Sequence, residues 1–178
     1  ESVSWVPGNH DAYVPGALEG LLKQCGDWTR GDDGRAGTFP FVRKRGRIAL
    51  VGLSSAIPTA PFVASGKLGR TQREAAEALL ADLGSDGYFR VVMIHHPPHT
   101  AGATPGRSLT DAAKFEPVLK RVGAELVLHG HNHTGSVALV AGPGKPIPIV
   151  GAPSASSRGG AIVHRAAYNM FTITDGPS

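Results

Sequence analysis

The densest chemistry in the sequence lies at Leu128-His129-Gly130-His131-Asn132-His133, where three imidazoles occupy alternate positions directly after the apolar run Ala124 to Leu128. Such a run reads as a buried strand. If the strand continues through the motif, residues two apart share a face, so His131 and His133 are expected to point together and Asn132 away. Gly130 permits a turn or a close backbone approach. Imidazole is the commonest metal-ligating side chain, and two of them on one side of a strand end make half a metal site. Two further segments can supply the other half. Tyr88 to Ile94 is a β-rich run that ends in His95-His96-Pro97-Pro98-His99, whose prolines forbid a continued central strand. Val3 to Val6 reads as a strand running into Pro7-Gly8-Asn9-His10-Asp11. Of eight histidines, only His164 lies outside these three segments. Open α/β sheets gather ligands at the carboxyl ends of their strands, so the three segments point to one shared metal site.

The elements that must position these residues alternate along the chain. A short helix is expected over Pro15 to Gln24, with Leu18, Leu21 and Leu22 on one face, followed by a Gly/Asp-rich loop at 31–37. Strands are expected at Thr38 to Val42 and Ile48 to Leu53, then a surface stretch from Ser54 to Gly66. Thr71-Gln72-Arg73-Glu74 fits a capping box that opens a helix stopped by Gly84. A second helix is expected over Asp111 to Val122, with Thr110 as cap and with Pro117 implying a kink or a later start. Further strands are expected at Ser136 to Ala141, Ile147 to Val150 and Tyr168 to Thr174. Helices intercalated among strands indicate an α/β fold.

Composition sets the outer bounds. At 178 residues and 41% hydrophobic, the chain has the size of one domain with a sizeable core. No apolar run reaches the ~20 residues of a membrane span. The single cysteine, Cys25, suits a reducing compartment and is read as a small buried hydrophobe, so a cytoplasmic location is expected. The net charge of +4 raises the question of nucleic acid, but the only dense basic run, Arg43-Lys44-Arg45-Gly46-Arg47, falls between two strand-like segments and reads as a solvated hairpin turn. No nucleic-acid motif accompanies it.

Three motifs carry a resemblance. GNHD at 8–11, HHPP at 95–98 and GHNH at 130–133 resemble three successive signatures of the calcineurin-like metallophosphoesterases, in the family's order, and GKLGRTQREAAEALLADL resembles the helix between the second and third. The resemblance implies an αββα sandwich of two mixed β-sheets flanked by helices. It implies that Asn9, His95 and His131 ligate one metal and His133 a second. It places His10 beside the scissile phosphate as general acid or electrostatic stabiliser, with Asp11 orienting it and His96 as a further substrate neighbour. His129 and His99 are then supporting or structural, and His164 is unrelated. The cofactors implied are two divalent transition metal ions of the Mn, Fe, Zn or Co type. Such a pair can clamp a phosphate, stabilise entering and leaving oxygens and acidify a bridging water.

The sequence also departs from the family pattern. The family's two earlier signatures, Asp-x-His and Gly-Asp-x-x-Asp, do not precede residue 8, and Gly31-Asp32-Asp33-Gly34 follows GNHD and reads as a solvated loop. Residues 1–178 are therefore expected to be the C-terminal portion of a longer single domain that lacks its first strands. An upstream segment or a second chain is expected to supply the missing Asp and His ligands, and the chain alone to be weakly active or inactive. The HHPP form, GHNHTGS and GPGKPIPIVGAPSASS look most like the bacterial cyclic-nucleotide phosphodiesterase branch. The function implied is hydrolysis of small phosphodiesters, cyclic nucleotides included. A phosphomonoesterase or nucleotidase and a noncatalytic metal-binding fragment are the alternatives.

Overall fold

The computed structural model describes residues 3–158 and 165–174. Six strands form one mixed sheet in the order β1-β2-β3-β4-β6-β5: β1 (Phe41–Arg45), β2 (Ile48–Gly52), β3 (Phe89–Met93), β4 (Leu126–His129), β5 (Ser136–Val140) and β6 (Ile147–Gly151). Strands β2, β3, β4 and β6 run parallel, and β1 and β5 close the two edges antiparallel. Helices α1 (Ala17–Cys25), α2 (Arg70–Ser85) and α3 (Ala112–Val122) complete the fold. The last two are the crossovers that parallel neighbours require. This is the α/β arrangement expected, although the described strands join a single sheet where a sandwich of two was anticipated.

Period-2 alternation along the parallel strands sends Val51, Leu53, Val92, Ile94, Val127 and Ile149 to the face covered by Leu80 and Leu83 of α2 and Phe115 and Leu119 of α3, all of them buried. Each such side chain contributes about 1.5–3 kcal/mol when fully buried. The other face is less covered: Leu50, Met93, Leu128 and Val150 are partly exposed, and Val137 and Leu139 on β5 are 73% and 67% exposed. Between β3 and the helices lies a buried ion pair. Arg90 donates to both oxygens of Glu125 at 2.9 Å and to the carbonyls of Leu80 and Val122, tying the ends of both helices to the sheet.

Several expectations are corrected. The basic run is no loop: Arg43, Lys44 and Arg45 belong to β1, and only Gly46 and Arg47 make the turn. Arg43 is tied to the carbonyls of Arg30 and Asp27, and Arg45 pairs with Asp32. Asp32 and Asp33 are accordingly engaged with Lys44, Arg45 and Arg35, in keeping with a loop rather than a metal site. No capping box opens α2, which begins two residues before a helix capped by Thr71 would; Asp111 reaches across from the start of α3 and accepts the N–H groups of Leu68 and Gly69 at 3.0 Å each. α2 runs through Gly84 to Ser85, and α3 starts at Ala112 despite Pro117. Val3 to Val6 is extended but outside the sheet, joined to the fold by Trp5 N–H on the Trp28 carbonyl. Tyr168 to Thr174 is no strand: it finds no ladder partner among the described residues, and Tyr168 and Met170 are exposed.

Candidate metal centre

Parallel strands end on a common edge, and there the three histidine segments meet. The turn Asn9–Asp11, the residues after β3 and the loop after β4 bring Asn9 Oδ1, His95 Nε2 and His131 Nδ1 into a triangle with sides of 3.0, 3.2 and 3.2 Å. Asn9 and His131 are buried and His95 nearly so. The packing leaves no slack. A Cβ on Gly8 would lie 2.5 Å from the His95 ring, so only glycine lets the Asn9 turn approach this closely.

The His131–His133 pairing arises differently from the expected one. β4 stops at His129, and His131 and His133 both have left-handed backbones, with φ of 67° and 57°. Asn132 does point away, donating to the Gly102 carbonyl at 2.8 Å, and so anchors the loop that turns its two neighbours toward a cleft of about 240 Å³. Asn9, His95 and His131 line its floor, and His133, which is exposed, stands at its margin with His10. Non-glycine residues in this conformation are strained by about 1–3 kcal/mol each, and such strain collects at functional sites.

The donor set fits a divalent metal ion. Two ligand atoms each about 2.1 Å from a metal and about 90–100° apart stand about 3.0–3.2 Å from one another, as all three sides of the triangle do. The imidazoles are also held in the neutral form that ligation needs. Burial, reinforced by His96 and His131, lowers His95 to about 3; burial and His96 lower His131 to about 4. Residues 1–135 match the calcineurin-like phosphoesterase family model. The chain belongs to that family. No curated protein matches it. The match makes this calcineurin-like phosphoesterase a metal-dependent phosphoester hydrolase in kind, and His95, His96 and His131 form a cluster close enough to share an ion, with the Asn9 oxygen beside it.

Two of the expected roles do not fit the phosphoesterase's geometry. Asp11 does not orient His10: its carboxylate accepts the Gly8 N–H at 2.8 Å and closes the Asn9 turn. The residue beside His10 is Tyr13, its ring edge-on at 4.9 Å and its hydroxyl 3.5 Å from His10 Nε2. The same hydroxyl accepts from Asn9 Nδ2 at 2.7 Å, which fixes the amide so that Oδ1 faces the triangle. Nor does His96 touch the cleft. It is fully buried, its Nδ1 2.7 Å from the Ser55 hydroxyl and its Nε2 donating to the Ala64 carbonyl at 3.0 Å, so that both nitrogens are engaged. Ser55 is thus buried rather than on a surface stretch. His129 is structural, its Nδ1 donating to the Gly130 carbonyl; His99 stands outside the cleft; His164 lies outside the described residues.

The phosphoesterase's cleft has a second wall that the sequence reading missed. Segments 64–66 and 106–110 run side by side, Ala64 N–H on the Gly106 carbonyl and Gly66 N–H on the Ser108 carbonyl, and bring Phe62 and Arg107 to the cleft. Nothing in the sequence marks that pairing. Tyr13 did leave a signal, standing three and four residues after His10 and Asn9, the spacing of one helical turn.

Proposed function

We propose that the protein hydrolyses small phosphodiesters, cyclic nucleotides among them, at a dinuclear metal centre of which Asn9, His95 and His131 hold one ion and His133 contributes to the other. The triangle of ligand atoms is the observation that carries this reading. A bound divalent metal supplies Lewis-acid polarisation of the phosphoryl group and acidification of water. The remaining tasks fall to side chains. His10, exposed at the cleft margin, is placed to hand a proton to the leaving oxygen, a role typically contributing about 10²- to 10⁴-fold. Tyr13 steadies both His10 and Asn9. Arg107 offers a fork of donors to the phosphate oxygens.

No carboxylate lines the cleft among the described residues, so two cations and an anionic ester would find only neutral ligands and cationic neighbours. On our reading the chain is the C-terminal portion of its domain, and an upstream segment or a second chain supplies Asp and His ligands. The partly open sheet face bearing Met93 and Leu128 leaves room for a further layer beside the site. We place the protein in the cytoplasm on the strength of its single cysteine. Among the described residues no helix is long and apolar enough to cross a membrane.

Hydrolysis of bis-p-nitrophenyl phosphate with Mn²⁺ tests the proposal, with His131→Ala as control and p-nitrophenyl phosphate as the monoester comparison. Slow turnover of the diester by the chain alone, abolished in the control, is expected. Turnover that survives His131→Ala would remove the triangle from the mechanism, and faster monoester cleavage would favour the nucleotidase reading. A protein that takes up Mn²⁺ calorimetrically yet cleaves neither ester even with the upstream segment restored is a noncatalytic metal-binding module.

A further inference from the structure

We infer that Phe62 is a stacking platform for a planar aromatic group, so that the esters admitted to this cleft are aryl or nucleoside phosphoesters; the inference rests on the phosphoester reading above. Ala60-Pro61-Phe62-Val63 forms a turn closed by the Val63 N–H on the Ala60 carbonyl at 3.1 Å, with Pro61 at its second position and Phe62, at φ 67°, at its third. That corner normally takes glycine or asparagine, because an L side chain is crowded there. For a bulky aromatic it is a genuine outlier.

Burial does not explain the ring. Phe62 is fully exposed, with a relative accessibility of 106%, while lining the cleft. The loop is nevertheless held firmly. Thr59 Oγ1 donates to the Val63 carbonyl at 2.7 Å, Ala64 N–H donates to the Gly106 carbonyl at 2.8 Å, and His96 Nε2 donates to the Ala64 carbonyl at 3.0 Å. Behind His96 there is no room to yield, since a Cβ on Gly66 would lie 2.3 Å from its Nδ1. Strained backbone persists where its surroundings over-determine it, and it gathers at ligand clamps. Here the surroundings leave an uncovered aromatic ring lining a cleft whose floor is the ligand triangle and which also carries Arg107. A phosphate held over the floor leaves its ester group to meet that ring. Stacking tolerates many ring systems because each has a π-face, so the platform selects aromatic groups as a class.

The test is the ratio of affinities for AMP and methyl phosphate, measured by calorimetry on the 178-residue chain with Mn²⁺ present. The wild-type chain should favour AMP, and Phe62→Ala should lower the ratio by about tenfold to a hundredfold, the usual loss on removing a stacking partner. Phe62→Gly should lower it equally while raising the thermal midpoint, because glycine relieves the turn. An unchanged ratio in either variant, a wild-type chain indifferent to the base, or a midpoint that falls in Phe62→Gly would each overturn the assignment. Hydrolysis is read separately. A Phe62-dependent AMP preference with no ester cleavage even after the upstream segment is restored would support the subsite and sink the hydrolase reading, whereas cleavage without aromatic preference would do the reverse.

Discussion

Tyr13 occupies a junction that chemistry alone would not have assigned to it. Its hydroxyl accepts from Asn9 Nδ2 and faces His10 Nε2, so a single oxygen sets the amide that aims Oδ1 at the triangle and steadies the imidazole beside it. Tyr13→Phe keeps the ring packed edge-on to His10 and removes only that oxygen. Mn²⁺ affinity should fall by about tenfold or more, the range seen when groups that orient metal ligands are removed. A calorimetric titration that gives wild-type affinity for the variant would show that Asn9 needs no such support. At this scale the sequence was informative about proximity: the histidine segments were expected to meet because imidazoles have few other reasons to collect, and they do meet, whereas Asn9 was singled out as a ligand only through the family resemblance. It was misleading for Asp11 and His96, whose hydrogen bonds run to Gly8 and to Ser55 and Ala64, since a motif fixes neighbours along the chain but not the rotamer each selects.

Elements, by contrast, were legible in their existence and illegible in their fastenings. Apolar patterning located the three helices and six strands of the described residues within a few positions, because burial on one face imposes a period of 3.6 or 2. How α2 begins could not be read the same way. The local Thr71-Gln72-Arg73-Glu74 pattern proposes a capping box, but the helix already begins at Arg70, and its entry is held by the buried carboxylate of Asp111, supplied from elsewhere in the fold, which accepts from Leu68, Gly69 and Arg73. Asp111→Ala should consequently destabilise the protein by about 3 kcal/mol, since it strands buried donors that had a charged partner, and Asp111→Asn by less. Urea unfolding of the two variants measures this, and equal stability of Asp111→Ala and wild type would sink the account. The false strand at Tyr168 to Thr174 has a related origin: β-rich composition suggests a strand, but a ladder partner is what makes one.

For the molecule as a whole, the gathered histidines make stability depend on pH. Burial holds His95 down to about 3 and His131 to about 4, and lowers His96, His99 and His129 below the usual imidazole range. Their folded pKa values lie below the unfolded value near 6.5, so below that pH the unfolded chain binds the extra protons. The stability of the metal-free protein is therefore full above pH 6.5 and declines as the pH falls toward 4, by at most about 1.4 kcal/mol per pH unit for each histidine. Urea midpoints in EDTA at pH 7.5, 6.0 and 5.0 should drop in sequence; a flat series would mean that the imidazoles remain solvated. The adjacency of His95 and His96 has a different consequence. Emerging back to back from the end of β3, one ring belongs to the floor of the cleft and the other clamps the loop that forms its wall. Floor and wall thus hang from a common datum, and thermal wandering of that strand end carries both in one direction. The cleft can drift as a unit while its aperture, the dimension that decides which molecules pass, keeps its tolerance.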